Sequence, residues 1–318
     1  KEPSKVSLLN LVQKHIFPYN VSEAFEVIDY RKDFDVLFIS KASSFLIRII
    51  QKFWEKSGKK VIFDFDDPVF LPKRMFKLRS PLFGSFEKIV KRSSVVTTSS
   101  HYMLSYAKTL NPKSSLIHTP INTTLFNPSI KKKNDKITIG WMGNAIGHLE
   151  NLKMLRPVLT KLGSKYDILF KMVSYLGDSR VKEAFKKVGE VIEVDYGLDH
   201  WIPLNKLSKV VCDFDIGVSP MIRTPWFESK SIIKTAMYMA MGLPVVASPV
   251  GEQKYVIRHG VNGFLAWNEE DWYQYLKMLI ENDGLRKEMG KKGRETAEKE
   301  LSVKGCGKQL FKIIKNLT

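Results

Sequence analysis

Two α/β domains of Rossmann type are predicted by three observations. Short β-branched or aromatic runs recur along the chain and alternate with helix-length segments, the pattern of parallel sheets covered by helices on both faces. The length of 318 residues matches two domains at roughly 100–200 residues each. A polar, lysine-rich segment, Lys131–Lys136, separates the two sets of strands. The domains are therefore assigned to residues 1–133 and 134–318, and the final helices are free to pack back on the first domain.

Strands of the first domain are expected at Phe25–Asp29, Asp35–Ser40, Val61–Phe65, Val95–Ser99 and Leu116–Thr119. Those of the second are expected at Thr138–Met142, Ile168–Val173, Val191–Val194, Ile216–Ser219, Pro244–Ala247 and Phe264–Ala266. Helices fit between them, among others at Ser44–Lys56, Leu149–Leu162, Ser229–Met241 and Glu270–Asn282. Two such domains facing each other would set the carboxyl ends of both sheets around one cleft, where ligands of α/β sheets bind.

Composition narrows the function. Hydrophobic residues make up 44% and charged ones 26%, which excludes a disordered or fibrous chain. The longest nearly apolar stretch, Met237–Val250, is broken by Gly242, Pro244 and Pro249 and is too short to span a bilayer. Two cysteines, Cys212 and Cys306, provide no disulfide framework and no CxxC motif, so a reducing, cytoplasmic setting is expected. The chain begins at Lys1 without a signal-peptide apolar region, and its native start is expected upstream. No GxGxxG, Walker A, HExxH or GxSxG sequence occurs, so dinucleotide redox chemistry, P-loop hydrolysis, zinc hydrolysis and serine hydrolysis have no local support.

The net charge of +18 is uneven, with +12 in residues 1–133 and +6 in the remainder. Between Asp67 and Asp135 the one acid is Glu87, against twelve Lys and Arg. This concentration points to an anionic partner. Residues 73–92 interleave seven basic side chains with Phe76, Leu78, Leu82, Phe83 and Phe86, a mixture suited to an anionic membrane surface. A core face with a solvated basic side explains the same pattern equally well. Nucleic acid is not expected, because no recognisable binding module is present.

The most informative run is ESKSIIKTAMYMAMGLPVVASPVG, Glu228–Gly251. Ser229 is expected to N-cap a helix that ends at Gly242, with Pro244 opening a buried strand. Lys230 and Lys234, four residues apart, would then share one helix face near its positive end and form a diphosphate site. A solvated lysine pair on an ordinary helix is the plainer alternative.

This run resembles the donor-site signature of family 4 glycosyltransferases, which have the GT-B fold of two Rossmann-like domains. Further matches follow in the family's order: VIFDFDD at 61–67, ITIGWMGN at 137–144, DFDIGVSP at 213–220 and HGVNGFLA at 259–266. The resemblance spans roughly residues 25–318. It implies a retaining transferase that moves a sugar from a nucleotide-diphosphate donor to a hydroxyl, with no metal or other cofactor.

Three departures from the family pattern stand out. Met237 occupies the position whose acidic or amide side chain usually meets the donor's ribose, and a thioether cannot accept those hydrogen bonds in the same way. Ser229 replaces a glycine, with Glu228 beside it as a substitute carboxylate. The chain is expected to lack the family's first strand and the Gly-rich loop after it. In the loop after Met142, Gly143 and Asn144 would admit a phosphate to backbone amides, whereas the family's usual Arg and Lys there are not evident. Tyr196 is placed by the resemblance near the nucleotide base; packing alone also explains it.

On the acceptor side, Asp64, Asp66 and Asp67 end a strand, where carboxylates serve as general bases or hold metals. Asp66 and Asp67 are the expected acceptor-hydroxyl contacts. A turn cap for Asp67 and a structural role for Asp64 remain open. His118, like His101, stands near a strand end and could reach the cleft; a satisfied core or surface histidine is the alternative for both. The resulting expectation is a glycosyltransferase acting on a lipid-linked or cell-surface glycan precursor, cytoplasmic and peripheral at the inner membrane face. A non-catalytic GT-B-like binding protein and a GT-B nucleotide-sugar epimerase are the rival readings.

Overall fold

The computed structural model describes residues 6–7, 35–40, 45–71, 83–131, 134–145, 147–174, 183–186, 188, 190–193 and 204–317. The expected strand Phe25–Asp29, the basic residues between 73 and 79, and Tyr196 lie outside these. The chain divides into two compact units. Unit 1 comprises Lys1–His118, Ser229–Ser231 and Gly307–Thr318, and unit 2 comprises Thr119–Glu228 and Ile232–Cys306. The division after His118 precedes the lysine-rich segment at which sequence reading placed it. Residues 119–131 join unit 2 because Ile121 bridges Ser302 and the Arg294 guanidinium donates to the Phe126 and Thr123 carbonyls at 2.6 and 3.0 Å. The same guanidinium reaches the Ala240 carbonyl at the end of a helix, whose last carbonyls need such a donor.

Unit 1 carries a five-stranded parallel sheet in the order β1 (Val6–Ser7), β2 (Val36–Ser40), β3 (Lys60–Phe65), β4 (Val95–Thr98), β5 (Ser114–Leu116). In β3, Val61, Ile62, Phe63 and Phe65 are all buried, which is why the run is apolar on both faces. The helix Phe45–Lys56 buries Ile47, Ile50 and Trp54, one stripe at helical spacing. Its buried Gln51 donates from Nε2 to the Ile89 carbonyl and Ser93 Oγ, each at 3.0 Å, and so ties it to the helix Phe83–Arg92. Ser100 caps the helix His101–Leu110 by accepting from the Met103 amide. The last strand lies two residues before its expected start because its register is set by Val96–Thr98.

Unit 2 holds a six-stranded parallel sheet in the order β11 (Phe264–Leu265), β10 (Val245–Ala247), β9 (Ile216–Ser219), β6 (Ile137–Gly143), β7 (Ile168–Ser174), β8 (Glu190–Glu193). Two glycines set how closely rings pack on its central strands. A Cβ on Gly140 would stand 2.0 Å from the Phe214 ring, and one on Gly217 would stand 2.6 Å from the Tyr238 ring. Two expected helices differ from their sequence reading. Leu149–Leu162 is split into Leu149–Lys153 and Arg156–Gly163, because Pro157 lacks the N–H and crowds the carbonyl four residues back. Ser229–Met241 is shortened to Ile233–Ala240. Ser229 is fully buried and its carbonyl accepts the Ser100 hydroxyl at 2.9 Å, so it does not cap this helix, and Lys230 lies before the first turn rather than on it.

The Gly140–Phe214 contact yields a measurable outcome. Gly140→Ala should destabilise unit 2 by about 1–3 kcal/mol through overpacking. In a double-mutant cycle, Phe214→Ala should absorb the added methyl, so that the pair costs less than the sum of the single changes. Additive losses in urea unfolding would contradict this packing.

Candidate functional site

In unit 2 the chain runs β6, β7, β8 to one side and β9, β10, β11 to the other. The strand order therefore reverses between β6 and β9, and the crevice outside their carboxyl ends is where such sheets bind ligands. Gly143 ends β6 with φ of 142°, a conformation that side chains disfavour. A Cβ there would lie 2.8 Å from both Cε and Nζ of Lys234, so the glycine makes room for that lysine. Lys234 sits in the first turn of Ile233–Ala240, at the positive end of the helix. Its ammonium lies 4.6 Å from the Trp141 ring centroid and 3.1 Å from His148 Nε2. The other ring nitrogen, Nδ1, is 2.9 Å from Asn151 Nδ2. Asn151 is itself buried, and its Oδ1 accepts the Ile222 amide at 2.9 Å, which links the loop after β6 to the segment after β9.

The helix bearing Lys234 is fastened one turn further on. The Met142 N–H donates to Tyr238 Oη at 3.0 Å. Burial drives the Tyr238 phenol well above its ordinary range, while the Met142 bond works in the opposite direction. The phenol therefore stays protonated and neutral.

The expected site residues are divided between the two units. Gly143, Asn144 and Lys234 come together at the end of β6. Asn144 Oδ1 accepts the Gly147 amide at 3.1 Å and shapes the turn. Glu228 is 14% exposed and meets Lys254 Nζ at 2.8 Å, Arg223 Nε at 3.2 Å and the Gly251 amide at 3.1 Å. Burial alone would raise its carboxyl, but Lys254, the Gly251 amide and Arg223 outweigh that and hold it below the ordinary carboxylate range. Met237 is 6% exposed among the apolar residues behind β6 and β9. Ser229 and Lys230 belong to unit 1, where Lys230 Nζ lies 3.4 Å from Asp67 Oδ1. Asp67 is more than half exposed, and a pair of that kind contributes little. Asp64 accepts the Thr97 hydroxyl at 2.6 Å and the Ser40 hydroxyl at 3.4 Å, a structural bridge between neighbouring strands. Asp66 and His118 are half-buried in unit 1.

Sequence reading passed over His148 and Asn151. The signal for them in the chain is slight, a histidine and an asparagine three residues apart after β6, and the burial of Asn151 is a product of folding. Among the described residues, no cluster of three or more His, Cys, Asp or Glu could hold a metal ion.

Residues 136–282 match the family model described as glycosyl transferases group 1. Solved structures extend the likeness to nearly the whole chain. A sucrose-phosphate synthase from Thermosynechococcus elongatus is 14% identical with a TM-score of 0.70, covering 93% of this chain and 77% of its own. HepE from Anabaena, in complex with UDP and glucose, is 12% identical with a TM-score of 0.67, covering 92% and 80%. A glycosyltransferase from Rickettsia africae is 16% identical with a TM-score of 0.61, covering 92% and 87%. The fold is GT-B. No curated protein sequence matches the chain. In this GT-B chain the family match covers β6 to the helix Glu269–Glu281 and so includes Gly143, His148, Asn151 and Lys234.

Met237 offers a direct check on its placement. Met237→Glu should lower the unfolding temperature, because a carboxylate would replace a thioether in an apolar cluster. Burial would raise the folded-state pKa of the new carboxyl, so the native state would hold its proton longer than the unfolded chain. The loss should thus be smallest below about pH 4, the unfolded glutamate range, and grow as pH rises toward neutrality. A pH-independent or absent loss would place residue 237 at solvent.

Proposed function

We propose that the protein transfers a sugar from a nucleotide-diphosphate donor to a hydroxyl acceptor with retention of configuration. The observation that carries this reading is the side-chain cluster at the carboxyl end of β6, where the Lys234 ammonium lies against Gly143 and beside His148. Departure of a nucleoside diphosphate concentrates negative charge on its phosphates, and fixed donors aimed at that charge lower the barrier. Lys234 would supply a charge that the fold already holds in place, with no reorganisation at the moment of transfer. HepE, a structure of similar fold, is seen with UDP and glucose and with UDP-glucose, which makes UDP-glucose the first donor to test.

The acceptor belongs in this reading to unit 1. Asp66, Asp67 and His118 are the proposed acceptor contacts, one of the aspartates receiving the hydroxyl proton. The acceptor class is a lipid-linked or cell-surface glycan precursor, met by a peripheral protein at the cytoplasmic face. Among the described residues no helix is long and apolar enough to cross a membrane. Transfer is proposed to need no metal.

Isothermal titration tests the donor site. Lys234→Ala should weaken UDP or GDP binding by about 1.5–3 kcal/mol, the worth of a charge-assisted hydrogen bond, and leave uridine or guanosine binding as in the parent. Donor turnover should survive EDTA. A parent protein that binds neither nucleoside diphosphate would overturn the reading, and unchanged affinity in the variant would remove Lys234 from it. The membrane component is separable. Co-sedimentation with anionic vesicles should be strong at low salt and fade as exposed charges are screened, and indifference to lipid charge would count against it.

A further inference from the structure

The two nitrogens of His148 have different neighbours, and one of those neighbours decides which nitrogen carries the proton. The Ile222 backbone N–H can only donate, and Asn151 Oδ1 accepts it at 2.9 Å. The amide group of Asn151 is thereby fixed in orientation, and its Nδ2 faces His148 Nδ1 at 2.9 Å. An amide nitrogen only donates, so Nδ1 must be the acceptor and the neutral ring carries its proton on Nε2. That nitrogen lies 3.1 Å from the Lys234 ammonium, which also only donates. Two donors thus point at each other across a hydrogen-bond distance.

The imidazole is not free to turn away. Its centroid lies 5.7 Å from Trp141 and 5.3 Å from Phe227, and Asn151 holds its far side. Lys234 is confined in turn by Gly143 and by the Trp141 ring. A group that accepts from both donors at once relieves the opposition, and an anionic phosphate oxygen does so best because both bonds are then charge-assisted.

We propose that His148 is a ligand of the donor diphosphate, contributing a neutral Nε2–H that Asn151 orients, and that it shares a phosphate oxygen with Lys234. The proposal rests on the donor-site reading above and deepens it. It fills the place in the loop after β6 where no Arg or Lys is present, using a donor that adds no charge there. Asn151 is the positioning residue, acting through His148 rather than on the phosphate.

Nitrogen-detected NMR of the imidazole at a pH where it is neutral, in the free protein, should show the Nε2–H tautomer for His148. The Nδ1–H tautomer would overturn the proposal outright. Adding UDP, GDP or inorganic pyrophosphate should shift Nε2 far more than Nδ1. His148→Ala should weaken the diphosphates tenfold or more while uridine and guanosine bind as before, and His148→Gln, which keeps an N–H donor, should recover most of that affinity. The His148 and Lys234 alanine effects should combine to less than their product, because the two residues share one oxygen. Parent-like UDP and GDP binding by His148→Ala would discard this role yet leave the transferase reading intact. Pyrophosphate binding that depends on His148, with no response to UDP or GDP, would do the reverse. A protein that binds none of the three refutes both.

Discussion

The closeness with which β6 is packed governs the second unit. Phe214 lies over Gly140, the Met142 amide ends on Tyr238 Oη, and Lys234 lies against Gly143. Tyr238 and Lys234 are four residues apart on one helix and therefore share a face. Their common helix is held in register by the buried tyrosine, and the same register delivers the lysine to the end of the strand. Core packing and the placement of a cation at the end of β6 are thus one geometric fact.

Buried amides close the loops around that strand. Gln253 accepts from Thr235 and donates to the Ser219 and Ser248 carbonyls, joining the helix to the ends of β9 and β10. Asn262 accepts from the Arg258 amide and donates to the Val256 carbonyl and the Thr296 hydroxyl. Asn151 spans from the loop after β6 to the segment after β9. Each satisfies backbone groups that the turns leave without ladder partners. The HGVNGF motif is accordingly a structural latch at Asn262, and Asn151 combines a latch with control of a neighbouring ring.

The two lysines of the signature illustrate how similar residues acquire different roles. Lys234 is partly buried beside Trp141 and His148, where solvent screens a charge less than at the surface. Lys230 stands before the helix, in a unit 1 segment, 3.4 Å from the exposed Asp67, where solvent weakens its field. Glu228, two residues earlier, is committed to Lys254, Arg223 and the Gly251 amide. Three residues close in sequence thus enter an ion network, a surface pair and the cluster at the end of β6.

Much of the architecture was legible in the chain. Apolar runs such as VIFDF and ITIGWM are the kind that parallel sheets bury on both faces, and the ordered motifs between residues 61 and 266 carry the resemblance to the GT-B fold. The strand end at Gly143 and the place of Lys234 near a helix start were legible as well, because both have local signatures. What residues 229–231 do was not, since the carbonyl of Ser229 bonds to Ser100, 129 residues away, and no local pattern encodes such a partner. The proton on His148 was equally hidden. By itself the sequence determined the alternation of strands and helices and hence the fold, because hydrophobic periodicity is a local property. Only the tertiary structure decided which polar groups meet at the end of β6, because hydrogen-bond direction depends on partners brought together by folding.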